Sequence, residues 1–223
     1  MTKLATKKPN ASGPRRNLPA HERRQELLEA AIDIYAQKGM AITVQELADR
    51  VHVTQPLVHR YFPTKADLLS AIAEVVQNGH WDAKWREILT DASMSLGERL
   101  ESFYIYYLPN IYRPRWFRAF MFLTLSDPSF AQSYLNRFKA TLFSEIVEGA
   151  RIHFGFPSTR DRAASEREYE LVWSMHSSLV YAGMRFSIYE MPPGADMEIV
   201  MKDQVKAYLS IARDVIEQEL NAA

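Results

Sequence analysis

The 223-residue sequence holds no cysteine, no surplus of either charge and only eight glycines. The first absence excludes a disulfide scaffold, thiolate metal sites and a cysteine nucleophile. Lysine plus arginine number 27, as do aspartate plus glutamate, so the chain as a whole is not a generic polyanion binder. No apolar run approaches the roughly 18 residues that span a bilayer, and the N-terminus lacks the apolar core of a signal peptide. A cytoplasmic location with no membrane partner is expected. There is no Gly-rich phosphate loop, no Gly-x-Ser-x-Gly elbow and no His-Glu-x-x-His, and His80, His153 and His176 lie far apart. Neither catalysis, a metal nor a cofactor is expected.

What is present is unevenly distributed. Residues 1–70 carry eleven basic side chains against seven acidic ones, a surplus of four that the remainder cancels. Such a split suggests one unit facing a polyanion and another with different work. Residues 1–18 hold five basic side chains, no acid and little to bury, the pattern of a disordered basic arm or a solubilising tail. The rest reads as all-α, with helices predicted at 20–38, 44–51, 55–61, 65–79, 96–109, 115–126, 129–153, 162–189 and 196–220. The division falls inside the fourth helix, giving a unit over 19–70 and a larger one over 71–223.

Start signals crowd residues 43–67. Thr43-Val44-Gln45-Glu46 has the form of a capping box. Thr54 can cap the next helix, with Pro56 tolerated in its first turn, and Thr64 with Asp67 starts a third. Between the first two lies Val51-His52-Val53, the turn length of a helix-turn-helix. On a wheel of 100° per residue, Leu57, Val58 and Tyr61 share one side of 55–61, while Gln55, Pro56, His59 and Arg60 share the other. The apolar side can rest on Leu27, Ala31, Ile34, Leu47, Ala48 and Val51. The polar side offers amide, imidazole and guanidinium groups to base edges and phosphates. A merely solvated polar face is the plainer alternative, and the stacked caps and basic surplus weigh against it.

The stretch ITVQELADRVHVTQPLVHRYFPTKADLL, 42–69, resembles the DNA-binding signature of the TetR family of bacterial transcriptional regulators. Thr43, Ala48, Val53, Thr54, Tyr61, Phe62, Lys65 and Leu68 stand at its characteristic positions, as do Ala30-Ala31 and Lys38-Gly39 before them. The resemblance implies that Thr43, Thr54, Tyr61 and Lys65 hold phosphates. It implies that Gln55, Pro56, Leu57 and His59 approach bases, with Arg60 in either role. Two positions depart from the pattern: His52 replaces the usual turn glycine, and His59 stands where tyrosine is common.

In the same family the larger unit is a helical ligand-binding and dimerisation domain. Here it is rich in aromatics, which at helical spacing are usually core but can also orient a small molecule. Tyr104, Tyr107, Trp116, Phe120, His176 and Tyr181 are the candidate lining of an effector pocket. Arg113, Arg115 and Arg118 are either a solvated cluster or an attraction for an acidic effector. Apolar stripes run through Leu171, Met175, Ser178, Ala182, Phe186 and Tyr189, and through Val205, Tyr208, Leu209, Ala212 and Ile216. They suit either a four-helix homodimer interface or intramolecular packing. The expectation is a homodimeric repressor of a palindromic duplex operator, released by a small-molecule effector. The alternative is an activator or architectural DNA binder without an effector.

Overall fold

The computed structural model describes residues 18–78 and 82–222, which are helical throughout apart from short connections. The helices are α1 (Ala20–Lys38), α2 (Val44–Arg50), α3 (Gln55–Tyr61), α4 (Lys65–Asn78), α5 (Lys84–Thr90), α6 (Leu96–Ile111), α7 (Pro114–Ser126), α8 (Pro128–Phe138), α9 (Ser144–Phe154), α10 (Glu166–Ser187) and α11 (Met197–Ala222). A five-residue π-helix, Lys139–Phe143, joins α8 to α9 without a break. The 129–153 helix of the sequence is therefore one rod with a wide turn in it. The expected arm at 1–18 lies outside the described residues except for Leu18, and the tip of the 65–79 helix also falls outside them.

Helices as short as α2 and α3 hold only because their inner sides are buried, since isolated helices under ~12 residues are marginal in water. Leu27, Ala31 and Ile34 of α1, Leu47 and Ala48 of α2, and Val58 of α3 meet in one core. Val51 and Tyr61 pack on its margin. The α2–α3 turn passes through His52 at φ 57°, the left-handed conformation expected there, which histidine tolerates better than most residues. From this unit α4 leads out, burying Leu68, Ile72 and Val76.

The caps divide. Thr43 accepts from the Glu46 amide at 3.2 Å, but the Glu46 carboxylate pairs with Lys38 instead of reaching back, so the expected capping box is half made. Thr64 and Asp67 cap reciprocally: the Asp67 amide donates to the Thr64 hydroxyl at 3.1 Å and the Thr64 amide to the Asp67 carboxylate at 2.9 Å. Thr54 sits in the N-cap conformation of α3 but makes no side-chain cap bond. The reason is local. Pro56, the second helical residue, has no N–H, and the Leu57 amide is taken by the Thr54 carbonyl at 3.0 Å.

Two elements differ from the sequence reading. α5 was not anticipated, because it is short and its N-cap, Ala83, offers no capping side chain. α10 begins at Glu166 rather than 162, behind a Ser165–Glu168 capping box. The preceding loop is turned inward, its Arg162 and Ala163 carbonyls accepting from Arg151. Arg151 also donates twice to Glu168, at 2.8 and 2.6 Å. Both side chains of that pair are almost completely buried.

The N-terminal unit is fastened to the body chiefly where α7 lies along α1. Gly39, just past α1, has φ 57°, and a Cβ there would stand 2.7 Å from the Phe122 ring of α7. Only glycine suits both the backbone and the approach. Tyr35 meets the same ring edge-on at 6.0 Å.

Candidate nucleic-acid interface and aromatic interior

The sides of α3 are as the wheel placed them. Gln55, Pro56, His59 and Arg60 are exposed, Val58 is buried, and Leu57 and Tyr61 are half-buried. Thr43, Thr54 and Lys65 are exposed beside them. Because Pro56 denies it a capping donor, the Thr54 hydroxyl is left for a partner outside the chain.

Three of these side chains are held by neighbours. Gln55 donates to Gln45 of α2, and Gln45 donates to Asp49 at 2.7 Å, so the start of α3 is tethered to α2 by side chains as well as by packing. His59 contacts the Pro63 carbonyl through Nδ1 at 3.1 Å. A carbonyl only accepts, so Nδ1 carries the hydrogen and Nε2 of the neutral ring is an acceptor. Lys65 donates to the Met40 carbonyl at 2.6 Å, leaving two of its three ammonium hydrogens for other acceptors. Gln45 and Met40 were not anticipated. Gln45 lies ten residues before Gln55, and no local periodicity announces such a contact.

In the body, Tyr104, Tyr107 and His176 come together as expected. The Tyr104 hydroxyl lies 3.4 Å from His176 Nδ1, and the Tyr107 ring is 5.5 Å from the imidazole. Phe138, Phe143 and Trp173 complete the surround at 4.9, 5.2 and 6.1 Å. Trp173 had a signal in the sequence, standing three residues from His176 on one helix face. Trp116 and Phe120 stack at 5.2 Å in an adjoining cluster. That cluster is linked to the first through Tyr134, which contacts Phe120 at 4.8 Å and Phe138 at 6.1 Å.

Tyr181 does not join them. It is 54% exposed, because five residues from His176 places it about 140° around the helix. Burial pushes His176 down to about 3 and raises the Tyr104 and Tyr107 phenols well above their ordinary value. At neutral pH the interior therefore carries no charge on these groups.

Arg113 is exposed, as a solvated cluster would have it, but Arg115 and Arg118 have a different place from either expectation. Arg115 pairs with Glu29 and Asp33 of α1, and Arg118 donates to the Ala36 carbonyl at 2.9 Å. They tie α7 to α1. The stripe on α11 is also corrected: Val205, Tyr208, Ala212 and Ile216 are buried within the chain and Leu209 is half-buried. The α10 stripe is split, with Met175 and Ala182 buried, Leu171 half-buried, and Ser178, Phe186 and Tyr189 exposed. The outward sides of these helices carry Ser174, Ser177, Ser178 and Tyr181 on α10 and Ala207 and Ile211 on α11.

Among the described residues no three His, Asp or Glu side chains gather as a metal site. No described helix is long and apolar enough to cross a membrane.

A short helix with an outward polar side, propped on two others ahead of a helical body, is the architecture of a helix-turn-helix DNA-binding regulator. Residues 27–72 match the family model described as bacterial regulatory proteins, tetR family. The N-terminal unit therefore carries that family's DNA-binding domain.

The HTH-type transcriptional activator FasR of Mycolicibacterium smegmatis is 37% identical over 67 residues, which is 29% of this chain and 31% of that protein. The match thus spans under a third of the curated relative's length. A tetR-family transcriptional regulator from Streptomyces coelicolor is similar in structure, with TM-score 0.61 at 17% identity, over 92% of this chain and 87% of that one. A TetR-like regulator from Rhodococcus sp. RHA1 gives TM-score 0.63 at 17% identity, over 87% and 99%. At such identities the likeness is one of fold.

Proposed function

We propose that this protein is a homodimeric transcriptional repressor, with a DNA-binding unit over 19–70 and a ligand-binding and dimerisation unit over 71–223. Each α3 enters one of two successive major grooves of a palindromic operator, roughly 34–36 Å apart. The observation that carries this reading is the outward set of Gln55, His59 and Arg60 above a fully buried Val58. Thr43, Thr54, Tyr61 and Lys65 hold phosphates, Gln55, Pro56, Leu57 and His59 approach bases, and Arg60 serves either. The chain performs no catalysis, and it acts in the cytoplasm.

The dimer forms through the outward sides of α10 and α11. Small Ser174, Ser178 and Ala207 allow close helix approach there, and Tyr181 and Ile211 supply apolar area. An effector binds among the aromatics of the body and favours a dimer with a different separation of its α3 helices. Coupling of ~1–3 kcal/mol suffices for a useful switch, and α7, which touches both the aromatic interior and α1, carries it.

The test is binding of the purified chain to the DNA upstream of its own coding region. A protected inverted repeat, occupied by two protomers, supports the reading. The absence of any preference over scrambled duplex contradicts it. The second reading, an activator without an effector, draws on two observations: FasR is described as an activator, and the rings around His176 pack directly on one another. Transcription that rises on adding the protein to an operator-linked promoter favours this second reading.

A further inference from the structure

Asp49 is poorly placed for the helix that carries it. It stands in the last turn of α2, where a carboxylate meets the negative end of the helix dipole. It is also exposed beside the proposed DNA face, where its charge repels phosphates. What it does is accept from the Gln45 amide at 2.7 Å, four residues earlier on the same side of the helix. Gln45 in turn accepts from Gln55 at the start of α3.

These two bonds have one consistent direction. An ionised carboxylate accepts and never donates, so Gln45 must turn its Nε2 to Asp49 and its Oε1 to α3. An amide oxygen likewise only accepts, so Gln55 must meet it with Nε2. One N–H of Gln55 is spent inside the chain, and Oε1 with the second N–H is left to serve a base. An acceptor and a donor on one amide complement N6–H and N7 of adenine in the major groove. Turned over, the same amide offers donors alone, which suit N7 and O6 of guanine.

Resting on the reading above in which Gln55 approaches a base, we infer that Asp49 is a positioning residue for sequence recognition. It touches no base. Through Gln45 it fixes which edge of the Gln55 amide faces the duplex, and so selects adenine over guanine at one position of each half-site. The amide is oriented before DNA arrives, which spares the complex the cost of ordering it.

The test is selection from duplexes randomised over about two helical turns, using the full chain and its variants and reading base frequencies along the recovered sites. Gln55→Ala marks the position that Gln55 reads, where wild type is expected to favour adenine at least about fivefold. Asparagine donates as well as accepts, so in Asp49→Asn both glutamine amides turn over. Adenine at the marked position should fall to within about twofold of guanine, with the other positions and the melting temperature unchanged. Asp49→Glu, still an acceptor alone, should keep adenine. Gln45→Glu combined with Asp49→Asn should restore it, because the new carboxylate accepts from both neighbours and Gln55 again turns its Nε2 inward. A merely structural role for Asp49 predicts no such rescue.

A wild-type preference for guanine at the marked position, an adenine preference indifferent to Asp49→Asn, equal relaxation at every position, or no rescue by the double variant would overturn the inference and leave Gln55 as a reader. A recovered site that Gln55→Ala changes nowhere would instead remove the reading beneath it, and the inference with it.

Discussion

Arg115 of α7 forks across to α1, its Nη2 2.6 Å from the Glu29 carboxylate and its Nε 2.5 Å from that of Asp33. The same Nη2 donates to the Glu29 carbonyl at 2.9 Å. One turn along, Arg118 holds the Ala36 carbonyl, and on another side of α7 the Trp116 indole donates to the Val76 carbonyl of α4 at 3.1 Å. A single helix thus grips both helices that carry the recognition unit. Arg115, Glu29 and Asp33 are all substantially exposed, so Arg115→Ala is expected to lower stability by under ~1 kcal/mol. Urea denaturation at low and high salt checks this, and the deficit should shrink as salt screens the pairs. The same variant should respond less to an effector while binding operator normally.

Arg151 and Glu168 form the opposite kind of pair, buried and bidentate. Glu168→Ala leaves the guanidinium unpaired in the interior and removes half of the cap on α10. A loss of ~3–5 kcal/mol is expected. The double variant Arg151→Met, Glu168→Leu should recover much of it, measured as urea midpoints on the three proteins. A single variant within 1 kcal/mol of wild type, by the typical scale for such pairs, would contradict this assignment.

His176 makes stability depend on acidity. Its folded pKa is lowered to about 3 by burial, against ~6.5 for a free histidine. Below ~6.5 the unfolded chain binds a proton that the folded chain does not, so stability falls as pH falls, by about 1.4 kcal/mol per unit. Above that value this contribution is complete and flat. Asp82, Asp91, Glu98 and Asp127 have lowered values from hydrogen bonds to Tyr106, Ser93, Ser95 and Ser129, but they act only near and below ~4. Unfolding free energies at pH 7, 6 and 5 should therefore fall for wild type and fall less steeply for His176→Phe.

Thr43 and Thr54 look alike in sequence and differ in what they do for the fold. Thr43→Ala removes a made cap and is expected to cost about 1 kcal/mol. Thr54→Ala removes a hydroxyl with no cap bond and should leave the melting temperature nearly unchanged while still weakening DNA binding. Pro56→Ala supplies the missing amide. It should stabilise α3 and draw the Thr54 hydroxyl into a cap, weakening DNA binding as it does so. Thermal melts and binding isotherms on the three variants separate these effects.

The N-terminal unit was largely legible because its signals are local. Caps, a three-residue turn and the wheel of 55–61 lie within a few residues of what they specify, and α1 and α3 have the bounds expected. The tethers through Gln45, Met40 and Pro63 were not legible, nor was the reason Thr54 stays uncapped, which needed the competing Leu57 amide. In the body, Tyr104, Tyr107 and His176 lie together, whereas the helical phase of Tyr181 carries it outward. The stripe of Val205, Tyr208, Ala212 and Ile216 has the same spacing whether it faces its own chain or a second one. Arg151 and Glu168 lie 17 residues apart across a loop, and nothing in the pattern of either helix links them.

The division between reading and holding DNA is tested most directly by titrating wild type, His59→Ala and Lys65→Ala against operator and scrambled duplex over a series of salt concentrations. His59→Ala should reduce the preference for operator by about 1–3 kcal/mol and leave the salt slope unchanged. Lys65→Ala should weaken both duplexes alike and flatten the slope by about one unit per protomer. Equal loss of preference from both variants, or no change from either, would contradict the assignment of α3 as the reading helix.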